Sequence, residues 1–482
     1  MTNALFRLFA VSSALAILAA CEVGPDYKRP EAPVPAAYKE QGDWQPSQPK
    51  DAASDISWWS VYRDQKLDAL EGQIDISNQT LKAAEAAYRQ ATAIVEQGRA
   101  GYYPTLALDG SGIRSGQGSG SGGARGKGVQ NQFSLSAGAS WEPDIWGRIS
   151  RTVEGDIASA QASEADLAAA RLSAQATLAT DYLELRMSDE LKRLLDATVE
   201  DDAISLTITQ NRYRAGTAAK SDVAQAQAQL DATRAQAINV GVQRAQLEHA
   251  IAVLTGKPPA DFSIPPEKLT ETVPDIPPEM PSTLLERRPD IAASERQMAA
   301  ANAQIGVAVS AYYPNITLNG SYGFTSAAID TLIRASNAVW SFGPQIAETV
   351  FDAGLRQAQV AAARAAYDQS VATYRQTVLA GFQQVEDELA ALGILAQQAE
   401  VQDSAVKSAA EAEKLILNEY KAGTVDYTSV ITAQQAKLAD EQGALTILQN
   451  RLVASVTLIE ALGGGWDAAQ LDPDKPEKAA QH

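Results

Sequence analysis

The chain has 482 residues, a formal net charge of −19 and a sequence pI near 4.7. Nucleic acid and anionic lipid surfaces repel such an acidic protein, so nucleic acid is not an expected partner. Cys21 is the only cysteine and His249 and His482 are the only histidines, which excludes an internal disulfide and a His/Cys zinc site. Without a positioned nucleophile, acid–base pair or metal, we expect no enzymatic activity.

The first 21 residues have the pattern of a secretory signal that ends in a lipid-modified cysteine. Arg7 precedes an apolar run from Leu8 to Ala20, which is shorter than the about 20 apolar residues of a transmembrane helix. The sequence Leu18-Ala19-Ala20-Cys21 resembles a bacterial lipobox, which predicts removal of residues 1–20 and a covalent lipid on Cys21 as the only cofactor. The alternative is an ordinary signal peptide followed by a chance cysteine.

Residues 21–63 are predicted to form a lipid-anchored tether. The proline-rich stretch 25–50 favours an extended chain with little helix. We expect Trp58-Trp59 to fix the end of this tether to the folded body. Several acyl chains on Cys21 would hold the tether at a membrane stably.

Downstream of the tether, the chain contains an internal repeat of about 210 residues. Tyr102-Tyr103-Pro104 returns 210 residues later as Tyr312-Tyr313-Pro314. The predicted turn Arg214-Ala215-Gly216-Thr217 returns 207 residues later as Lys421-Ala422-Gly423-Thr424. We interpret the chain as two copies of one unit. The predicted division is 64–256 and 283–465 for the two copies, 257–282 for a proline-rich linker and 466–482 for a loose polar tail.

Each copy predicts a helix, two strands and a long helical hairpin, in that order. The first copy places them over 64–100, about 104–142 and 150–254, with Ser221-Asp222 capping the return helix. The second copy places them over 283–310, about 314–346 and 356–462. The hairpins are rich in Ala, Gln, Glu, Leu and Arg, which favour helices and suit close coiled-coil packing.

The strand segments alternate between apolar and polar residues. In the second strand, one face carries Phe133, Leu135, Ala137, Ala139 and Trp141, and the other carries Gln132, Ser134, Ser136, Gly138 and Ser140. This pattern is typical of a membrane β-strand with a lipid face and a polar lumen face. Four strands cannot close a barrel, because single-chain barrels begin at about eight strands. A dimer is possible on this argument, but a transport channel favours a trimer, since a barrel of about eight strands is filled by its own side chains.

The motifs together resemble the outer-membrane efflux channels of the TolC superfamily, in particular their lipoprotein branch (OprM/NodT-like). The resemblance spans about residues 21–465 and rests, beside the paired Tyr-Tyr-Pro and Ala-Gly-Thr segments, on Cys21-x-Val23-Gly24-Pro25-Asp26-Tyr27-x-x-Pro30, Trp58-Trp59, Trp141-Glu142-x-Asp144-x-Trp146-Gly147-Arg148, Arg287-Arg288-Pro289-Asp290-Ile291 and Phe351-Asp352-x-Gly354. It implies a mixed α and β fold and a homotrimer, in which a 12-stranded outer-membrane β-barrel continues as a periplasmic α-barrel.

The resemblance also implies a function. The chain would be the passive outer-membrane channel of a tripartite efflux pump, receiving drugs or other small molecules from a periplasmic adaptor (membrane fusion) protein and an inner-membrane pump, expected to be of the RND type. The two tip turns would dock on the adaptor, and Glu22 after Cys21 is compatible with the outer membrane. The alternatives are the exit duct of a type I protein secretion system and a non-transporting, lipid-anchored coiled-coil stalk, which leaves the four strands without a purpose.

The resemblance further suggests a gate at the periplasmic helix tips. A tyrosine and an aspartate that hold the tips together in the family match Tyr420 and Asp222, with Ser221 as a neighbouring hydroxyl donor. An arginine of the family's lock is replaced here by Val425. The alternative roles are helix capping for Asp222 and packing beside the turn for Tyr420, as for its matched residue Tyr213.

The acidic rings of related channels correspond to Ser429 and Thr432, neither of which is acidic. Asp426 is the candidate for a replacement ring, and its alternative role is that of a solvated turn residue. Elsewhere, Glu386-Asp387-Glu388 is interpreted as a solvated helix face rather than an acid pair.

Overall fold

The structure is a computed structural model that describes residues 22–41, 57–116, 129–269, 273–274, 276 and 284–471. The predicted signal peptide 1–20 and the predicted lipid site Cys21 lie outside the described residues. So do parts of the tether and the linker, and the tail from residue 472 onwards. The described chain is mixed α and β, as predicted.

The two copies contain the same order of elements. The first copy consists of α1 (Gln65–Ser77), α2 (Gln79–Ala100), β1 (Thr105–Gly116), β2 (Val129–Trp141), α3 (Arg148–Arg214) and α4 (Lys220–Leu254). The second copy consists of α5 (Leu284–Arg287), α6 (Pro289–Ser310), β3 (Asn315–Ser326), β4 (Ala338–Ala347), α7 (Leu355–Ala422) and α8 (Tyr427–Ala461). The predicted strands and helical hairpins are therefore confirmed.

The leading helix of each copy is divided in two, so the predictions of single helices over 64–100 and 283–310 are wrong. Asn78 has an extended backbone (ψ 122°), and its side chain accepts a hydrogen bond from Leu81 N–H at 2.9 Å, which starts a new helix. The same side chain donates to Leu254 O at 2.9 Å. In the second copy, the break falls at Arg288, which is extended because it precedes Pro289.

The longest helices, α3 and α7, contain 67 and 68 residues, so each extends for roughly 100 Å. Small residues allow close packing between helices of different copies. A Cβ built on Gly155 of α3 would lie 3.5 Å from Ala303 Cβ of α6. None of the described helices combines the length and the apolar character that crossing a bilayer requires.

The four strands form one antiparallel sheet in the order β1-β2-β3-β4. The register places like residues on like faces, which confirms the predicted alternation. The apolar face includes Leu106, Leu108, Phe133, Leu135, Tyr322, Phe324, Trp340 and Phe342. On the opposite face, hydroxyl groups bond across the strands: Ser111 with Ser134 at 2.7 Å, Ser140 with Asn319 at 2.9 Å and Ser321 with Ser341 at 2.8 Å.

The largest apolar core lies where the helices of both copies meet the ends of the tether and the linker. Trp58 and Trp59 are buried in it, which confirms that they fix the tether to the body. Ile264 and Leu269 from the linker are also buried there. Arg244 holds the linker in place, because its guanidinium donates to Ile264 O at 2.6 Å.

Residues 22–41, here called the N-terminal arm, pack along both copies instead of extending freely. Glu386 of α7 accepts the backbone N–H groups of Lys39 at 2.7 Å and Glu40 at 2.9 Å. Glu386 is therefore half-buried and bound to the arm, whereas the neighbouring Asp387 is exposed, as a solvated face predicts. The beginning of the tail is also less loose than predicted, because Trp466 and Leu471 pack against an alanine cluster of α3 and α6.

Candidate functional site

The two hairpin tips are built from the same turn. Gly216 (φ 73°) and Gly423 (φ 84°) both adopt the left-handed backbone that favours glycine. In each turn the next residue donates its N–H and its hydroxyl to the carbonyl five residues earlier, Thr217 to Arg212 and Thr424 to Glu419. All residues of the two predicted turns are exposed and thus accessible to a partner: Arg214, Ala215, Gly216, Thr217, Lys421, Ala422, Gly423 and Thr424.

Tyr420 joins the two hairpins. Its side chain is only 2% exposed, its ring lies 5.3 Å from that of Tyr427, and its hydroxyl donates to Thr209 Oγ1 at 3.4 Å. The guanidinium of Arg212 lies over the ring, 4.3 Å from the centroid, and donates to Tyr420 O. The matched Tyr213 is 46% exposed, so the repeat does not predict the environment of Tyr420.

Asp222 and Ser221 lie in the first turn of α4. The Asp222 carboxylate accepts the N–H of Ala219 at 3.3 Å, and Ser221 Oγ donates to Asp222 at 3.3 Å. The N-cap residue is Ala219, and Asp222, three residues later, caps the helix by accepting the N–H of Ala219, so the predicted capping role is confirmed for Asp222. Within the described part of a single chain, no hydrogen bond joins Asp222 to Tyr420. The observed contacts of Asp222 are those of a helix-capping residue.

Asp426 caps the second return helix. It is the N-cap of α8, and its carboxylate accepts the N–H of Ser429 at 3.0 Å and the hydroxyl of Ser429 at 2.7 Å. These hydrogen bonds lower the pKa of the exposed Asp426 carboxyl. Thr432 lies further along the same helix, where its hydroxyl donates to Thr428 O at 2.9 Å.

Further contacts between hairpins extend from the tip along the helices. Gln434 donates to Ser205 Oγ at 3.0 Å in a buried position, and Gln435 donates to Gln229 at 2.9 Å. An apolar cluster accompanies them, formed by Leu206, Ala226, Leu230, Tyr420, Tyr427 and Val430. Burial, followed by the nearby groups of Asp202, Tyr420 and Asp222, raises the pKa of the Tyr427 phenol.

Sequence reasoning missed Arg212, Thr209 and Ser205, which hold the second hairpin to the first. A signal for Arg212 was present in the repeat itself. The matched residue in the second copy is Glu419, which has the opposite charge. A charge reversal within an otherwise repeated motif indicates that the two positions meet different surroundings.

Aromatic residues collect at the other end of the long helices, where the strands begin and end. Trp146 stacks on Tyr313 with ring centroids 4.8 Å apart and donates its indole N–H to Pro314 O at 2.8 Å. Trp141 donates to Tyr102 O at 2.9 Å. Aromatic residues with a polar group are typical of a membrane–water interface.

The N-terminal arm begins beside these aromatic residues at the junction of strands and helices, here called the aromatic level. Val23 N–H donates to Trp146 O at 3.2 Å, and Gly24, with φ 105°, lies so close to α6 that a Cβ would be 2.5 Å from Gly306 Cα. The buried guanidinium of Arg151 pairs with Asp26 at 2.8 Å and Glu22 at 3.3 Å. Glu154 of α3 also pairs with this guanidinium at 2.7 Å, so Arg151 links the arm to α3 through a network of three carboxylates.

No group of three or more His, Cys, Asp or Glu side chains in the described part of the chain is arranged to hold a metal ion. The described cavities lie between helices or at the strand–helix junction.

Comparisons with known proteins agree with this architecture. The outer membrane efflux protein family matches residues 71–257 and 280–464. The toluene efflux pump outer membrane protein TtgC of Pseudomonas putida is 30% identical over 456 residues, covering 93% of this chain and 94% of the relative. The outer membrane protein OprJ of Pseudomonas aeruginosa is 30% identical over 465 residues, covering 95% and 96%. The solved outer-membrane channel OprN superposes with a TM-score of 0.85 at 28% identity, covering 92% of this chain and 100% of OprN.

A two-faced sheet joined to long helical hairpins is the architecture of an outer-membrane channel component, a passive conduit rather than an enzyme. The chain belongs to the outer membrane efflux protein family, whose model matches both copies. The predicted role as the outer-membrane channel of an efflux system is thereby confirmed.

Proposed function

We propose that three copies of this chain assemble into one channel, in which twelve strands form an outer-membrane β-barrel and the hairpins form a periplasmic α-barrel. The open sheet carries this proposal. Within the described residues, β1 and β4 each have one unpaired edge, and unpaired backbone groups are very costly in hydrocarbon. Because β1 and β4 run in opposite directions, β4 of one copy can pair with β1 of the next in the antiparallel arrangement of the chain itself.

The helices support the same ring of copies. α6 packs between α3 and α7 and buries residues along its whole length. Its counterpart in the first copy, α2, packs on α3 and buries only Leu81 and Val95. By analogy with α6, the neighbour that α2 lacks within its own chain would be α7 of an adjacent chain in the ring. A ring of copies would cover the exposed face of α2 in the way that α3 covers α6.

Three copies suit a channel better than two. A barrel of about eight strands is filled by its side chains, whereas a larger barrel leaves an aqueous passage. The apolar face of the sheet would contact lipid, and the face with the hydroxyl pairs would line the passage.

The names of the relatives support a proposal for the partners and the cargo. TtgC is named as the outer-membrane protein of a toluene efflux pump. We propose that this chain receives drugs or other small molecules from a periplasmic adaptor protein and an inner-membrane pump of the RND type. The exposed Ala-Gly-Thr turns of the two tips form the docking surface for the adaptor.

The tip contacts form the gate in this proposal. Tyr420 is held by Thr209 and Arg212 of the first hairpin, so the second hairpin cannot move outward without breaking these contacts. Asp222 and Ser221 stabilise the adjoining helix start. Asp426, with Ser429 and Thr432 on the same helix, gives one exposed carboxylate per copy, hence an acidic ring in the trimer.

A lipid on Cys21 fits the position of the arm. Ser150 Oγ donates to the Glu22 carboxylate at 2.8 Å, and Val23 lies beside Trp146, so residue 22 is fixed at the aromatic level of the sheet. Acyl chains on the preceding cysteine would then enter the adjoining outer-membrane leaflet.

Reconstitution of the purified protein tests the proposal. We expect three copies by native mass spectrometry and single-channel conductance in planar bilayers. A single copy without conductance would refute it.

The gate is tested by Tyr420→Phe combined with Asp222→Ala, which should raise the conductance. An unchanged conductance would count against these residues as a gate.

Deletion of the gene, with the neighbouring transporter genes intact, separates efflux from protein secretion. We expect greater sensitivity to dyes, antibiotics or solvents. Loss of a secreted protein with unchanged sensitivity would instead indicate the exit duct of a type I system.

A further inference from the structure

The chain has two equivalent junctions between strands and helices, one in each repeat. At one of them an aromatic residue of a strand–helix connection packs on the Tyr-Tyr-Pro segment, and at the other this contact is missing. After β2, the connection to α3 packs against the Tyr312-Tyr313-Pro314 segment of the second copy, where Trp146 stacks on Tyr313. The cleft at this junction has a volume of about 190 Å³. Its lining from the second copy includes Ser310, Ala311, Tyr313 and Asn315.

A second cleft of about 450 Å³ lies on the first copy. Its lining includes Ala100, Gly101, Tyr103 and Thr105, which are the residues 210 positions before those of the first cleft. The two clefts are therefore equivalent positions of the repeat. In the second cleft, however, no aromatic residue from the described strand–helix connections lies on Tyr103, which is 72% exposed.

The connection after β2 packs on a Tyr-Tyr-Pro segment of the other repeat, but the connection after β4 has no such partner within the described chain. Between β4 and α7, Val350 is 91% exposed and Phe351 is 86% exposed. These two exposed apolar residues follow β4, at the free edge of the sheet opposite the β1 edge that carries the incomplete cleft. An exposed pair of large apolar residues at a free sheet edge indicates an interaction surface. Phe351 lies three residues before Gly354, whereas Trp146 immediately precedes Gly147, so the aromatic ring enters from a different point of the connection.

We propose that Val350 and Phe351 of one copy occupy the cleft around Tyr103 of the next copy. The inference rests on the proposed ring of copies, and it names the contact that joins them at the membrane boundary. The junction would then contain two kinds of aromatic contact in alternation, one within each chain at Trp146 and one between chains at Phe351.

The strand register supports this contact over burial of the two side chains in lipid. Within the chain, β2 pairs with β3 so that Trp141 lies opposite Leu318, and the two strands lead directly to Trp146 and Tyr313. Since β4 and β1 carry the unpaired edges, the equivalent pairing between copies brings the segment after β4 to the segment before β1. These segments contain Phe351 and Tyr103.

Cysteine cross-linking tests the contact, because Cys21 is the only native cysteine. The variant Phe351→Cys with Tyr103→Cys is purified as the full assembly and treated with a short bismaleimide. We expect covalent dimers and trimers on a denaturing gel. Each single variant should remain a monomer on the gel, and unsubstituted protein reports any reaction of Cys21.

A matched pair within the chain serves as the positive control. Trp146→Cys with Tyr313→Cys should cross-link without forming multimers. If native mass spectrometry shows three copies and this control reacts, but Phe351→Cys with Tyr103→Cys gives no multimers, the inference is refuted while the channel remains. If only single copies are found, the proposed assembly itself fails.

A second measurement uses no cysteine. Phe351→Ala should lower the temperature at which the assembly separates into single chains on a gel, whereas an equivalent truncation of the exposed Ile238 on α4 should not. If Phe351→Ala assemblies resist heat as well as the unsubstituted protein, the side chains contact lipid instead, and the inference is refuted.

Discussion

Glu71 of α1 should make the folded protein less stable as the pH rises. Its side chain is fully buried, and neither carboxylate oxygen has a hydrogen-bond partner among the described residues. Burial, assisted by the carboxylates of Asp75 and Asp68, raises the pKa of Glu71 from 4.5 to about 9. The carboxyl group is therefore protonated in the folded protein at neutral pH.

The sign follows from proton binding in the two states. Above pH 4.5 the unfolded chain loses the proton of Glu71, whereas the folded chain keeps it up to about pH 9. Folding is then coupled to proton uptake, and the free energy of unfolding falls by about 1.4 kcal/mol for each pH unit. Between pH 5 and pH 8 this single group lowers the stability by about 4 kcal/mol.

Glu71→Gln removes this dependence, because glutamine is neutral in both states. Thermal unfolding of the purified protein in detergent, followed at pH 5, 6, 7 and 8, measures the effect. We expect the variant to unfold at a higher temperature than the unsubstituted protein at pH 8 and the difference to shrink towards pH 5. Glu200→Gln, at an exposed position on α3, is the matched control and should follow the unsubstituted protein. Parallel pH profiles for Glu71→Gln and the unsubstituted protein would refute the reasoning.

Two other substitutions test the tip and the arm. Arg212→Ala removes the cation that lies 4.3 Å from the Tyr420 ring centroid, an interaction of about 1–2 kcal/mol, so the channel in planar bilayers should open about tenfold more often; an unchanged open fraction would contradict a latch at this position. Gly24→Ala should release the N-terminal arm, because the new Cβ would lie 2.5 Å from Gly306 Cα, and trypsin should then cut the arm faster. The control is Gly72→Ala, where a Cβ would have no described atom within 4 Å and the cleavage rate should not change. Equal cleavage rates for the two variants would show that the close approach at Gly24 is unimportant.

The sequence predicts the features that depend on periodicity. Alternation along Phe133, Leu135 and Ala137 identified a strand and its apolar face, because side chains alternate strictly between the faces of a sheet. The Ala-Gly-Thr repeats located both tips, since a left-handed glycine ends a helix at a defined residue. These are local rules, and the structure agrees with them.

The features that the sequence did not predict depend on contacts distant in the chain. Asn78 separates two helices, and its side chain donates to the carbonyl of Leu254, the last residue of α4 and 176 residues away. Glu386 binds the backbone of the N-terminal arm more than 340 residues away. The family resemblance pairs Asp222 with Tyr420. In the single chain, Asp222 instead accepts the N–H of Ala219, and Tyr420 is bound by Arg212. No spacing pattern carries this information.

The serine pairs across the polar face of the sheet affect how a solute would travel past it. Ser111 bonds to Ser134 and Ser321 to Ser341, so these hydroxyls are already engaged with each other. In the proposed channel, this face would offer a passing solute few free hydroxyl donors, because each pair uses one of its two donors on its neighbour. If this face lines the passage, transit would depend on the width of the passage and on the inner-membrane pump more than on adhesion to the wall, and solutes of different chemistry could share the same route.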